Sequence, residues 1–270
     1  MSDDLLTPSS ELLDREPVQP RGSARLLRDL ASVVIVVGVA LGLWEIAVRL
    51  GDVPVYLLPA PSVIALDLWR GAPRYAGAAL VTLIEALAGL LLGVGVGAGV
   101  AILITYWAHL ERGVLALAIL LKATPIVAII PLLIIWLGFG PLPKIIVTGL
   151  LTFFPILINV HTGLHAVDRP VLALFHSLNA SRWELFHHAR WPSALPYLFA
   201  GLRVVAPLSL VGAVVAEWAG ASNGLGRTMW LAYTNFDLPS LFAAVLFSAL
   251  MGMGLYGAVI VLESRILFWR

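Results

Sequence analysis

The sequence predicts an all-α, polytopic membrane protein with about six transmembrane helices and a polar two-helix segment between the fourth and the fifth. Composition is the first indication: 60% of the 270 residues are hydrophobic and only 12% are charged, with a mean hydropathy of +0.95. An average soluble domain carries about 25% charged residues. The second indication is the recurrence of apolar runs of about 20 residues, the length of a helix that crosses a bilayer. These runs lack the strict alternation of barrel strands, so the predicted fold is helical.

The apolar runs follow one another along the chain. We place the predicted spans at about 30–49, 77–104, 114–137, 142–162, 196–219 and 239–262. The region before them, 1–28, is rich in Pro, Ser and acidic residues and is predicted to be a largely disordered cytoplasmic tail, whereas 29–270 form the transmembrane domain. Between the first two spans, the prolines of LLPAPS (57–62) interrupt the helix, and a short helix from Ser62 is predicted to lie on the membrane face.

The distribution of basic residues predicts the orientation. With the amino terminus in the cytoplasm, the cytoplasmic segments hold about twice as many of the 17 Lys and Arg residues as the outer segments do, as the positive-inside rule requires. The polar segment then lies in the cytoplasm. The chain has no Cys and a net charge of +1, so a disulfide framework is excluded and nucleic acid is not an expected partner.

The polar segment, about residues 168–192, has the signals of two short helices joined by a tight corner. Asp168 is a suitable residue to begin the first helix. Asn179 tolerates the left-handed conformation that ends helices. Ser181 and Glu184 form a capping-box pattern that begins a second helix, and Pro192 is predicted to stop it. A plain connector between antiparallel helices needs only about 2–8 residues. The greater length and the helix caps of this segment predict that it contacts another surface.

The nature of that contact stays open at this point. Trp183, Leu185 and Phe186 are candidates to anchor the corner on the rest of the chain. The segment either docks on a soluble partner or rests as an amphipathic pair on the lipid surface, and the residues alone permit both.

Several stretches resemble the permease subunits of bacterial ABC importers, in particular the nitrate, sulfonate, taurine and pyrimidine-precursor branch. They are LLPAPS (57–62), IIPLLIIWLGFGPLPKI (129–145), FFPILINVHTGLHAVD (153–168), SLNASRWELFHHARWPSALPYLFAGLR (177–203) and VGAVVAEWAGASNGLG (211–226). The resemblance implies a type I importer permease that is not an enzyme and holds no cofactor. It also implies these partners: ATPase subunits that bind ATP and Mg, a second permease copy, a periplasmic or lipid-anchored solute-binding protein, and the inner membrane.

The resemblance also assigns the polar segment to ATPase coupling. The implied contact residues are Leu178, Asn179, Ala180, Ser181, Arg182, Trp183, Glu184 and Leu185. The chain departs from the family's Glu-Ala-Ala pattern, which falls on Ala173, Leu174 and Phe175, so its acidic member is missing. The family's Gly falls on Asn179, which can hold the same backbone angle.

Charged residues inside the predicted spans need partners or a cavity, because a charge at mid-bilayer costs about 3 kcal/mol or more. The predicted translocation path consists of Glu85, Lys122, Pro125, Glu217 and Trp218. The alternative for Glu85, Lys122 and Glu217 is a buried Glu–Lys pair between helices. Near the membrane surfaces, Glu45 is expected to pair with Arg49 four residues on, and Arg203 either reaches the surface or pairs with a neighbour.

The same residues bear on two other functions, a gradient-driven carrier and a metal site. An ion-gradient-driven carrier or channel for a small solute is compatible with acids inside six spans, although such a carrier needs no two-helix cytoplasmic segment. His161 and His165 share a helix face, yet no third ligand or H-E-x-x-H pattern accompanies them. No metal site is therefore expected.

Overall fold

A computed structural model describes the backbone of residues 23–268 and the side chains of 31–268. The chain divides into two compact units, Met1–Asp52 and Val53–Arg270. In the first unit, helix α1 spans Ser23–Leu50, and the Glu45–Arg49 pair is confirmed with an Nε–Oε1 distance of 2.6 Å. Residues 1–22 of the predicted tail, 1–28, lie outside the described residues. Helix α1 begins at Ser23, within the range predicted for the tail.

The second unit is a bundle of helices in which the structure describes no strand between residues 53 and 268. The helices are α2 (Pro61–Arg70), α3 (Ala72–Tyr106), α4 (Ala108–Ala123), α5 (Ile126–Leu137), α6 (Leu142–Leu164), α7 (Arg169–Ser177), α8 (Arg182–Leu185), α9 (Trp191–Trp218), α10 (Leu225–Thr234) and α11 (Leu238–Ile266). Five helices of the described chain are long and apolar enough to cross a membrane, and the α4–α5 pair brings the number to six if it counts as one span. The predicted fold class is confirmed.

The third predicted span is broken. Helices α4 and α5 meet at an angle of 92°, and the break falls at Thr124 and Pro125, both of which have extended backbone angles. Proline has no N–H to continue the helical ladder, and it pushes the preceding residue out of the helical region. The predicted single span is therefore two helices separated by a sharp bend.

The core of the bundle is centred on α6, whose contacts with α3 and with α9 are the most extensive among the described helices. Glycines make the approach of α3 to α6 possible: a Cβ on Gly89, Gly93 or Gly97 would collide with residues of α6. Without the hydrophobic effect, helices in lipid associate by such close packing. On the same helix, a Cβ on Gly95 or Gly99 would meet nothing within 4 Å.

One prediction about the polar segment is wrong. The helix that begins after Ser181 does not end at Pro192, since it continues through a π-helical turn, Phe186–Arg190, into α9. Pro192 lies in the first turn of α9, and a π-turn shifts the hydrogen-bond register immediately before it. The segment Arg182–Trp218 is therefore one helical run of 37 residues.

Candidate functional site

The first candidate site is the polar corner, residues Leu178–Leu185, between α7 and α8. Asp168 occupies the position that caps α7, as predicted, although its side chain makes no capping hydrogen bond. At the other end of α7, Asn179 has φ +50°, the left-handed conformation that the sequence predicted.

Two backbone hydrogen bonds close this corner. The Ala180 N–H donates to the Phe175 carbonyl at 3.0 Å, and the Asn179 N–H donates to the His176 carbonyl at 3.0 Å. This pairing is a Schellman motif, which satisfies the carbonyl groups that a helix end leaves free. The direction of the turn is thus fixed by the backbone.

The next helix begins with the predicted capping box. The Glu184 N–H donates to the Ser181 hydroxyl at 3.2 Å, and the Ser181 N–H donates to the Glu184 carboxylate at 2.7 Å. Both reciprocal bonds are present, so the residues that follow the corner are as well defined as those before it.

The corner presents apolar side chains to the outside. Leu178 is 69% exposed and Trp183 is 66% exposed, and none of the α7 side chains is buried. The predicted anchoring is correct for Phe186, which is buried and lies 5.7 Å from the Tyr106 ring between centroids. It is wrong for Trp183, whose ring stacks on Phe186 from the outside.

The second candidate site is a buried polar cluster of Thr82, Glu85, Lys144 and Glu217. The Lys144 ammonium lies 3.1 Å from the Glu85 carboxylate, and both side chains are less than a tenth exposed. Lys144 is in the first turn of α6, where the helix dipole disfavours a cation. Its position is explained by the Glu85 charge across the α3–α6 interface.

The Glu217 end of the cluster is held by a glycine turn. Its carboxylate accepts a hydrogen bond from the Thr82 hydroxyl at 2.7 Å and one from the Gly226 N–H at 2.5 Å. The Thr82 hydroxyl in turn accepts from the Leu225 N–H at 2.8 Å. Gly224 has φ +118°, and a Cβ there would collide with the Glu217 carboxyl group, so the turn encloses that carboxylate at close range.

The structure divides the five predicted path residues between two separate places. Glu85 and Glu217 belong to one buried cluster, because Thr82, one turn before Glu85 on α3, donates its hydroxyl to the Glu217 carboxylate. Trp218 follows Glu217 but points to a surface where it is 40% exposed and stacks on Tyr233 at 6.4 Å between ring centroids. Lys122 and Pro125 lie at a separate place, the α4–α5 break.

That break opens a cavity of about 430 Å³ lined by Lys122, Pro125 and residues of α6 and α9. The Lys122 ammonium lies 4.7 Å from the centre of the Phe154 ring, a cation–π contact. Within residues 31–268, no carboxylate forms an ion pair with Lys122. The cavity therefore combines aromatic walls with a cation that has no anionic neighbour.

Sequence reasoning missed Lys144, Thr82 and Gly224. The expected Glu–Lys pair exists, but its lysine is Lys144 and not Lys122. A signal was present, since Lys144 falls three residues into a predicted span at the same end of the bundle as Glu85. Thr82 lies one turn before Glu85, and the glycines of 220–226 follow Glu217.

Two more pairs hold the opposite end of the bundle. Arg203 pairs with Glu263 of α11 at 2.6 Å. Of the two predicted alternatives for Arg203, reaching the surface or pairing with a neighbour, the second is confirmed. His161 of α6 contacts the Glu111 carboxylate at 3.1 Å, and the His165 ring nitrogen contacts the His161 carbonyl. Both contacts join neighbouring helices or turns of the bundle.

The helical bundle and its capped corner define a class, the membrane permeases of ABC importers. Residues 89–268 match the family model described as "Binding-protein-dependent transport system inner membrane component". The chain belongs to this family and is a multi-pass inner-membrane permease, a transport component. The comparisons do not support the ion-gradient-driven alternative.

Curated relatives extend the match over most of the chain. The formylaminopyrimidine transport permease ThiX of Halalkalibacterium halodurans is 34% identical over 84% of this chain and 91% of the relative. The riboflavin transport system permease RibX of Chloroflexus aurantiacus is 31% identical over 84% and 85%. A putative aliphatic sulfonates permease, SsuC of Bacillus subtilis, is 29% identical over 86% and 85%.

Solved structures share the fold. A chain of the MetNI methionine ABC transporter in an inward-facing conformation superposes with a TM-score of 0.64 at 16% identity, covering 72% of this chain and 96% of that chain. A chain of an amino acid ABC transporter superposes with a TM-score of 0.60 at 15% identity, covering 74% and 97%. At these identities the likeness concerns the fold alone.

Proposed function

We propose that transport by this permease is driven by a separate ABC ATPase that binds the polar corner. Two copies of the chain assemble with two ATPases, which bind ATP and Mg, and a solute-binding protein delivers the cargo from the other side. The amino terminus and the polar corner then lie in the cytoplasm. ATP-driven closure of the ATPases pushes on the corner and moves α9, because α8 and α9 form one continuous helical run.

One observation carries this proposal: a rigid corner with exposed apolar side chains. Leu178 and Trp183 are both more than half exposed, on a backbone fixed by a Schellman motif and a capping box. An apolar patch on a conformationally fixed turn is typical of a docking element, since little entropy is lost on binding. The missing acidic residue at Ala173 removes a charge from the family pattern but leaves this geometry intact.

The cavity at the α4–α5 break is our candidate for the solute path. Lys122 and Pro125 line it, and broken helices in membrane proteins are tolerated where they border a cavity. The buried polar cluster has a different role in this proposal: Glu85 pairs with Lys144 and Glu217 accepts hydrogen bonds inside the bundle, and this favours the alternative of a structural Glu–Lys pair. Trp218, beside Glu217 in the sequence, is 40% exposed and stacks on Tyr233.

The transported solute is small and of the type that the relatives' names indicate. Two relatives at 34% and 31% identity are named for a formylaminopyrimidine and for riboflavin, so heteroaromatic vitamin precursors are the first solutes to test. Sulfonates, taurine and nitrate are the next. A cavity with a Phe154 wall and the Lys122 cation suits a planar, electron-rich solute.

Single-cysteine cross-linking tests the ATPase contact without background, because the chain has no Cys. We expect Leu178→Cys to cross-link to a cysteine introduced in the docking groove of the co-expressed ATPase. The matched control is Leu57→Cys, which is 65% exposed but lies before α2, on the side away from the corner in this proposal.

The same cross-linking experiment can also contradict the proposal. Equal cross-linking of both positions, or of Leu57→Cys alone, would contradict ATPase docking at the corner. Insertion is checked by the yield of each variant in the membrane fraction.

A further inference from the structure

Two adjoining cavities lie where the end of α3 meets the last residues of the polar corner and the π-turn that follows them. The first, of about 340 Å³, is lined by Thr105, Tyr106, Arg182, Leu185, Phe186 and Arg190. The second, of about 410 Å³, is lined by Gly99, Ile102, Leu103, Tyr106, Trp107 and Arg182. Because they share Tyr106 and Arg182, they form one groove with a cationic end and an apolar end.

The cationic end has no anion of its own. Arg182 is exposed and Arg190 is half-buried, and neither forms an ion pair with any acidic side chain described between 31 and 268. Two guanidinium groups that line one cavity repel each other unless an anion joins them. Arginine's planar donors suit a phosphate oxygen in particular.

Helix length and residue type place the groove near the level where hydrocarbon gives way to lipid headgroups. Helix α3 has 35 residues and the run Arg182–Trp218 has 37, which at about 1.5 Å per residue is roughly 50–55 Å each. The hydrocarbon core is only about 30 Å thick, so both helices extend beyond it. Tyr106 and Trp107 at this end are typical of residues at the membrane–water interface.

The apolar end is open along the α3 surface. Leu103 is 39% exposed, and a Cβ on Gly99 would meet nothing within 4 Å. An acyl chain can therefore lie along α3 below the arginines, with its headgroup at their level.

We infer that this groove binds an anionic phospholipid, with its phosphate between Arg182 and Arg190 and an acyl chain beside Gly99. The lipid joins α3 to the helix that leaves the polar corner, in the cytoplasmic leaflet if the proposed orientation holds. Arg182 then faces lipid, while Leu178 and Trp183 face the ATPase. The binding itself does not require an ATPase, so it can be tested independently of the proposed function.

Native mass spectrometry of the purified full chain measures this binding. We expect retention of phosphatidylglycerol over phosphatidylcholine, and a loss of about fivefold in bound phosphatidylglycerol for each of Arg182→Gln and Arg190→Gln. The matched control is Arg169→Gln, an exposed arginine of α7 that lines neither cavity, and it should bind like wild type. Unchanged size-exclusion profiles show that the variants are folded.

Three outcomes would overturn the inference. The first is wild-type lipid binding by both variants. The second is displacement of phosphatidylglycerol by an equal concentration of inorganic phosphate, which would make the groove a site for free phosphate. The third is unchanged lipid binding together with lost ATPase co-purification, which would assign the arginines to an acidic residue of the ATPase.

Discussion

The two polar regions of this protein, the buried polar cluster and the polar corner, differ in whether their side chains find partners inside the chain. The buried polar cluster pairs Lys144 with Glu85 and encloses Glu217 in hydrogen bonds within the bundle. The polar corner satisfies only its backbone and leaves Leu178 and Trp183 exposed. A region whose side chains bond one another inside the bundle holds the fold together, whereas a rigid region with exposed apolar surface suits a partner.

The largest expected effect comes from breaking the buried ion pair. Lys144→Met leaves the Glu85 carboxylate buried without its cation, and removal of one partner of a buried pair typically costs about 3–5 kcal/mol. Thermal unfolding of the detergent-purified protein measures the loss. The double variant Lys144→Met, Glu85→Gln should recover much of it, and a double variant as unstable as the single one would show that the charge is not the cause. Lys122→Met is the control, because Lys122 is exposed.

The glycine turn around Glu217 should show the next largest effect. In Gly224→Ala the new Cβ collides with the Glu217 carboxyl group at a backbone angle of φ +118°, and we expect a loss of about 2–3 kcal/mol from the strained angle and the displaced carboxylate. Gly254→Ala in α11 is the control, because a Cβ there meets nothing within 4 Å. Equal melting temperatures for the two variants would contradict the enclosed carboxylate.

The corner should respond in function more than in stability. Asn179→Gly keeps the left-handed angle and should transport solute like wild type, whereas Asn179→Val strains the φ +50° position by about 1–2 kcal/mol. Uptake into vesicles that contain the full complex measures both variants. If valine and glycine gave equal uptake, the shape of the corner would not matter for coupling.

The smallest effect is expected at the Arg203–Glu263 pair. The Arg203 side chain is 43% exposed and that of Glu263 only 10%, so only the arginine side of the pair is open to the surface, and Arg203→Gln should cost about 1 kcal/mol. The melting temperatures of Arg203→Gln and Lys144→Met, measured under the same conditions, give the comparison. A loss as large as that of Lys144→Met would show that exposure does not separate the two pairs.

Short-range chemistry explains what could be predicted from the sequence. The spans follow from apolar length, and the left-handed Asn179 and the Ser181–Glu184 capping box depend on residues at most three positions apart. The partner of Glu85 could not be predicted in the same way. The sequence predicts a buried Glu–Lys pair only as one alternative, and the choice of Lys144 over Lys122 depends on α3 lying along α6.

The continuation of the helix past Pro192 also depends on context. A proline ordinarily ends a helix from which it removes a hydrogen bond, and the sequence predicted an end there. The π-turn of Phe186–Arg190 moves that missing bond to a place where it costs little, and Phe186 is fixed there by its contact with Tyr106. Tyr106 is 80 positions away in the sequence, so no local pattern contains this information.

ATP-dependent solute uptake by the Leu178→Glu variant tests most directly whether the polar corner couples transport to the ATPase. Leu178 is 69% exposed, so the substitution should leave membrane insertion and melting temperature unchanged while it puts a charge into the proposed apolar contact. We predict that uptake and ATPase co-purification both fall by about tenfold or more, as expected for the loss of an apolar anchor at an interface. Wild-type uptake by the variant, or uptake by the wild-type chain without nucleotide, would contradict the account.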